Sequence, residues 1–281
     1  MKLASYIHPT LLRKSYGIIN NDGIIDIGIK IGANLPDLKS VIKYNKLSYI
    51  QEFERHTPDF NINDVTFIPV IDNPKKIICV GMNYQQKRIE FDEKCSAPTL
   101  FIRFPDTLSG HGSPLLKPVS SDEFDYEGEL AVIIGKSAKS INRKDALDYV
   151  AGYSCFMDGS VRDMQYSWFT SGKNWANTGG FGPWMVTSDE IPDPQCLSIQ
   201  TYLNGIEVQR DSTSNMLRTV SEIVEYISSF TQLSPGDLII TGSPGGVGKM
   251  KKPPLFMQHG DIIEVEISGI GKLRNIVSAA N

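Results

Sequence analysis

The hydrophobic positions of this chain fall mostly in short runs or in strict alternation, the period of strands, and in a few places take the three-to-four spacing of a helix. Residues 16–20 and 24–29 read as strands. Asn20-Asn21-Asp22-Gly23 between them tolerates the left-handed backbone of a tight hairpin. Residues 38–53 shift to helical spacing, and the polar, proline-containing stretch 56–61 reads as a linker, so a boundary is expected near residue 70. Beyond it, 76–81 is β-rich and 83–91 begins a short helix. The stretch 97–115, with three prolines and two glycines, suits strand and loop. Residues 129–135 form a strand and 143–149 a helix. The strongest helical pattern spans 215–230, with Met216, Val220, Ile223, Val224 and Ile227 on one face and Ser212, Thr213 or Ser214 as its cap. Ser234-Pro235-Gly236-Asp237 turns into a strand over 238–241, and strands over 261–268 and 272–277 close the chain around Gly269 and Gly271. Strands outnumber helices without regular alternation, which points away from a doubly wound sheet.

Composition narrows the class. The 281 residues are 41% hydrophobic and 21% charged, enough apolar side chain for one large domain, alone or with a small appendage. A net charge of −4 and a pI near 5.6 argue against nucleic acid as a partner, because phosphate binding needs a basic surface. The apolar runs are too short for a membrane span or a signal peptide. Cys79, Cys95, Cys155 and Cys196 are scattered with no CxxC pair, which suits reduced thiols in a cytoplasm.

The sharpest chemistry lies in Asp125-Tyr126-Glu127-Gly128-Glu129-Leu130-Ala131-Val132. On a strand, Glu127 and Glu129 point the same way, about 7 Å apart. Two carboxylates this close repel unless a cation or a shared proton lies between them. An all-oxygen set selects a hard ion such as Mg²⁺, Mn²⁺ or Ca²⁺ over zinc. The ExE pattern alone is a weak signal and more often marks a solvated strand face. Asp158, in Cys155-Phe156-Met157-Asp158-Gly159-Ser160, stands where a strand should end beside a loop and is the candidate third ligand. Lys173 sits in a glycine-rich loop, where most lysines are solvated; near a metal it would act as a point charge for a carboxylate or enolate oxygen. Thr241-Gly242-Ser243-Pro244-Gly245-Gly246-Val247-Gly248 is not a phosphate loop, since Lys249 is followed by Met250 rather than Ser or Thr. It reads as a turn offering Thr241 and free N–H groups to a small carboxylate. His8, His56, His111 and His259 show no metal spacing and read as structural or surface residues.

Together these segments resemble the fumarylacetoacetate hydrolase family, in its acylpyruvase and hydroxyheptadienedioate-isomerase branch, over residues 74–281. The likeness rests on Val80-Gly81-Met82-Asn83-Tyr84, Tyr126-Glu127-Gly128-Glu129-Leu130, Asp158-Gly159-Ser160-Val161-Arg162-Asp163, Gly172-Lys173, Gly182-Pro183-Trp184, Thr241-Gly242-Ser243-Pro244 and Glu264-Val265-Glu266-Ile267, in that order. The resemblance implies an α+β, mainly β roll with a flat mixed sheet, a small N-terminal domain over 1–70 and a catalytic domain over 71–281, usually as a homodimer. It implies Mg²⁺ or Mn²⁺ on Glu127, Glu129 and Asp158, with Lys173, Thr241, Gln165, Arg103 and Tyr84 around a small keto-acid substrate. Members of the family usually carry a water-activating His and Glu on a lid helix. Here Glu90 is kept, but the histidine position is Lys87, which at i, i+3 can still pair with it. A free lysine is protonated near neutrality and makes a poor base.

Two enzymatic readings follow. In the first, a metal-dependent hydrolase cleaves a C–C bond of an acylpyruvate or related β-diketo acid, with Glu90 assisting water and Lys173 stabilising the enolate. The alternative uses the same enolate without water, as a decarboxylase or isomerase/tautomerase of a 2-keto acid such as oxaloacetate, and Lys87 shifts weight toward it. A binding protein without catalysis is the third reading.

Overall fold

In the computed structural model, which describes residues 1–21, 23–94, 97–166 and 168–280, strands dominate and helices are short. The strand Gly128–Ile134 shows why. It is buried along its whole length because its two faces enter different cores. Leu130, Val132 and Ile134 pack with Ile199 and Val265, whereas Ala131 and Ile133 pack with Ile25, Val41 and Ile240. A strand covered on both faces needs a continuous apolar run, and this segment supplies one.

The larger sheet is mixed. Across it lie Phe60–Asn61, Gly23–Asp26, Lys14–Asn20, Lys2–Ile7, Gly179–Thr187, Val150–Asp158, Gly128–Ile134, Leu238–Ile240, Ile77–Gly81 and Thr99–Arg103. Neighbours along this path are antiparallel except Leu238–Ile240 against Ile77–Gly81. A second sheet runs Ile206–Ser212, Ser198–Leu203, Ile262–Ile267, Gly271–Ala279 and Pro114–Lys117. The two sheets approach closely at Gly128, where a Cβ would lie 2.1 Å from Thr201 Oγ1. This is the mainly β, α+β architecture with a mixed sheet that the family resemblance implies.

Hydrogen bonding crosses the boundary expected near residue 70, since Lys2 and Leu3 pair with Val186 and Met185. Phe60–Asn61, read as linker, pairs with Gly23–Ile24 instead. The hairpin forms with Asn20 opposite Gly23 and Asn21 at φ 52°; Asp22, like Cys95, lies outside the described residues. The strand expected over 24–29 stops at Asp26, whose carboxylate accepts the Ile29 N–H and caps the helix Ile27–Ile31. The helix expected over 38–53 divides at Asn45, with φ 53°, into Leu38–Lys43 and Leu47–Gln51. The helix over 215–230 begins only at Val220. Its cap is Thr219, in a reciprocal capping box with Glu222, not Ser212, Thr213 or Ser214. Met216 pairs with Tyr84 outside the helix. Cys79, Cys155 and Cys196 are free thiols, and no helix among the described residues is long and apolar enough to cross a membrane.

Candidate active site

Strand register assembles the acidic groups. Glu129 lies on the same face of its strand as Ala131, and Glu127 precedes it by two residues. Antiparallel pairing sets Gly128 opposite Met157 and Glu129 opposite Phe156, and the Asp158 N–H donates to the Glu127 carbonyl at 2.8 Å. Asp158, the last residue of Val150–Asp158, therefore stands beside Glu127. Glu127, Glu129 and Asp158 are all buried, and each offers an oxygen within 4.8 Å of the others.

Four buried cations surround them. Lys173 ends the short helix Thr170–Lys173, and its ammonium donates to Asp158 Oδ2 at 2.5 Å, Ser160 Oγ at 2.6 Å and Glu127 Oε2 at 2.8 Å. Arg162 donates from Nη2 to Glu127 Oε1 at 2.5 Å and from Nε to Asp125 Oδ2 at 2.8 Å. Lys87 donates to Glu127 Oε1 at 2.7 Å and to Ser243 Oγ at 2.5 Å. Arg103 reaches Asp158 Oδ1 at 2.5 Å. Glu127 is thus the hub, with three cations on one carboxylate.

The electrostatics separate the two glutamates. Burial opposes the charge of Glu127, but Lys173, Lys87 and Arg162 overcome it and hold that carboxyl well below the usual range. Glu129 goes the other way: burial, then the charges of Asp158 and Glu127, push its carboxyl well above the usual range. Burial works against the Lys173 ammonium too, yet Asp158 and Glu127 raise its pKa.

Above the cluster opens a cavity of about 210 Å³, lined by Lys87, Glu127, Arg162 and Lys173 and by the aromatic rings of Phe91, Phe101, Trp168 and Phe169. Lys87 comes from the helix Gln85–Glu90. Glu90 is on the same helix but does not pair with Lys87: both its carboxylate oxygens accept the Gly246 N–H, at 2.9 and 3.0 Å. Gln165 lines the cavity, its Oε1 held by Arg162 Nη1 at 3.0 Å.

Three expected substrate contacts are placed differently. Arg103 is buried and spends its donors on Asp158, Gly159 O, Thr178 Oγ1 and Thr107 Oγ1, so it braces a candidate ligand instead of meeting a substrate. The Thr241 hydroxyl donates to the Leu130 carbonyl at 2.9 Å, and the loop presents the Gly242 N–H to Glu129 Oε2 at 2.5 Å in its place. Tyr84 is buried in the core between the sheets and does not line the cavity. Sequence reasoning missed Arg162, Asp125 and Ser243 as working groups. A usable signal was present: Asp125, Glu127 and Glu129 share one strand parity, and so many same-side carboxylates require cations.

The family model described as fumarylacetoacetate (FAA) hydrolase C-terminal matches residues 76–278, a stretch that holds every charged group of this cluster. The chain belongs to the fumarylacetoacetate hydrolase family. Among relatives in that family, oxaloacetate tautomerase fahd2, mitochondrial, of Xenopus laevis is 38% identical over 76% of this chain and 69% of its own length. Oxaloacetate tautomerase YisK of Bacillus subtilis (strain 168) is 38% identical over 77% of this chain and 74% of its own. The crystal structure of maleylpyruvate hydrolase from Sphingobium sp. SYK-6, in complex with manganese(II) and pyruvate, matches with a TM-score of 0.84 and 27% identity over 100% of both chains.

The donor set of this chain fits a divalent ion. Three buried carboxylates converge with oxygen atoms only, the preference of hard cations. Burial, then the charges of Asp158 and Glu127, push the Glu129 carboxyl up, and a cation held among the three would offset those charges.

Proposed function

We propose that this protein is a divalent-metal-dependent tautomerase of a small 2-keto acid, with oxaloacetate as the reference substrate. The observation that carries the reading is the place of Lys87. Where a water-activating histidine is usual in the family, this chain holds an ammonium 2.7 Å from Glu127, while Glu90 is occupied by the Gly246 N–H. No histidine lines the cavity among the described residues. Such a site is built to donate and accept protons on an enol rather than to activate water. The names of the tautomerase relatives point the same way.

Glu127, Glu129 and Asp158 would hold the ion, Mg²⁺ or Mn²⁺, which supplies a Lewis acid that polarises the keto group and stabilises the enolate. Charge count favours an anionic substrate. Once an ion has displaced the Glu129 proton, Asp125, Glu127, Glu129 and Asp158 are balanced by Lys87, Arg103, Arg162 and Lys173, all buried, so the divalent ion leaves two positive charges for a dianion to neutralise. Conversion of enol to keto acid adds a proton at C3 and removes one from the C2 hydroxyl; no water is consumed and nothing is oxidised. Lys87, lining the cavity, gives the proton to C3. The amine left behind takes the hydroxyl proton and returns to its starting state. Lys173 holds Glu127 and Asp158 in register throughout. We place the enzyme in the cytoplasm as a homodimer.

Hydrolysis of an acylpyruvate is the second reading, favoured by the retention of Glu90 on the helix beside the cavity. The test is to follow the enol band of oxaloacetate with Mg²⁺ or Mn²⁺ against a chelated control, together with release of CO₂ and cleavage of acetylpyruvate. Metal-dependent loss of the enol without either product is expected. Cleavage of acetylpyruvate with no effect on the enol would sink the tautomerase and restore the hydrolase.

A further inference from the structure

Not every cation that lines the cavity belongs to the buried network. Lys87, Arg162 and Lys173 each have a carboxylate oxygen within 2.8 Å. Lys249 does not. Among the described residues the carboxylate nearest its ammonium is Glu123, at 3.9 Å, and the side chain is about half exposed. Its root is nevertheless fixed. The Gly248 N–H donates to Asp125 Oδ1 at 2.7 Å and the Lys249 N–H to Asp125 Oδ2 at 3.1 Å, while Arg162 Nε anchors the same carboxylate. One network therefore ties the lysine backbone to the hub of the site.

A second donor shares the cavity. Arg162 Nη1 binds Gln165 Oε1 at 3.0 Å and so fixes which way the amide faces. Gln165 Nε2 is buried and meets no hydrogen-bond partner among the described residues. An unfilled amide donor and a half-exposed cation whose nearest carboxylate lies 3.9 Å away thus line the same space, and a buried amide donor is costly unless a ligand fills it. The rest of the wall beyond the charged cluster is largely aromatic, from Phe91, Phe101, Trp168 and Phe169.

We infer that Lys249, with Gln165 Nε2, forms a second anion-binding subsite that selects 2-keto acids bearing a distal carboxylate over those ending in an alkyl group. This rests on the keto-acid reading above and adds to it the residue that sets substrate class. The reacting end of the substrate meets the buried cluster, and its far carboxylate meets Lys249, whose nearest carboxylate among the described residues is 3.9 Å away.

The test compares two inert acids on Mg²⁺-loaded protein by calorimetry: 2-oxoglutarate, with a distal carboxylate, and 2-oxobutanoate, without one. The wild type is expected to prefer 2-oxoglutarate. Lys249→Met should shrink the ratio of the two dissociation constants at least tenfold, and Lys249→Glu should shrink it further. A ratio unchanged in both variants would overturn the subsite. If neither acid binds the wild type, the keto-acid reading itself fails and the proposal falls with it.

Discussion

Glu127 holds three cations and Arg103 holds one acid, and the two arrangements carry different risks. Asp158 is wholly buried and keeps its charge compensated by Arg103 and Lys173. Removing one partner leaves a buried charge underpaired, the expensive direction for an ion pair. Arg103→Met should therefore destabilise the metal-free protein by about 3–5 kcal/mol in denaturant titrations; a loss below ~1 kcal/mol would show that the bridge is not needed. Glu129 gives a pH signature. With its carboxyl pushed up by burial and by Asp158 and Glu127, it keeps a proton at pH values where a free glutamate has lost it. An ion must displace that proton, so affinity for Mg²⁺ or Mn²⁺ should rise with pH until Glu129 ionises unaided. Calorimetry in two buffers of different ionisation enthalpy should detect proton release on binding; equal heats would refute the assignment. The three acids were legible in the sequence from strand parity and from Asp158 at a strand end. Arg162 was not, because its partners Asp125 and Glu127 lie 37 and 35 residues away; the parity of the acids calls for cations but does not say which ones.

Among the elements, the strand Gly128–Ile134 serves both the fold and the site. Its even positions pack toward the second sheet, and its odd positions carry Glu129, with Glu127 just ahead of the strand, and then Ala131 and Ile133 in the other core. Gly128 is where these demands meet, since a methyl group there would press on Thr201 Oγ1 at 2.1 Å. Gly128→Ala should cost about 1–3 kcal/mol. Thr201→Ala in the same background should recover part of that, because it removes the clashing atom and a hydroxyl that has no partner among the described residues. Additive losses in thermal melts would contradict the close approach. Strands were readable from alternation, and the helix ends were not. The helix over 215–230 starts late because Asn83 binds the backbone of Arg218 on both sides, donating to its carbonyl and accepting its N–H. That contact spans 135 residues and overrides a periodicity that would have extended the helix. Likewise, the i, i+3 spacing allowed Lys87 to meet Glu90, but Gly246 and Glu127 offered each a better partner.

At the scale of the whole molecule, the site is a product of the folded sheet. Its charged groups come from segments spread between Lys87 and Lys173 and meet only when the central strands pair. An ion bound by those groups should stabilise the entire fold through its preference for the native state, by about 2.7 kcal/mol at a hundred times its dissociation constant. A rise in melting temperature with Mn²⁺, absent in Glu127→Ala, is the expected outcome, and an equal rise in both proteins would place the ion elsewhere. The most direct measurement is an anomalous-difference map from crystals soaked in MnCl₂. The account predicts one strong peak about 2–2.4 Å from oxygens of Glu127, Glu129 and Asp158. Strong anomalous density elsewhere, with those three carboxylates left in contact only with lysine and arginine, would contradict it.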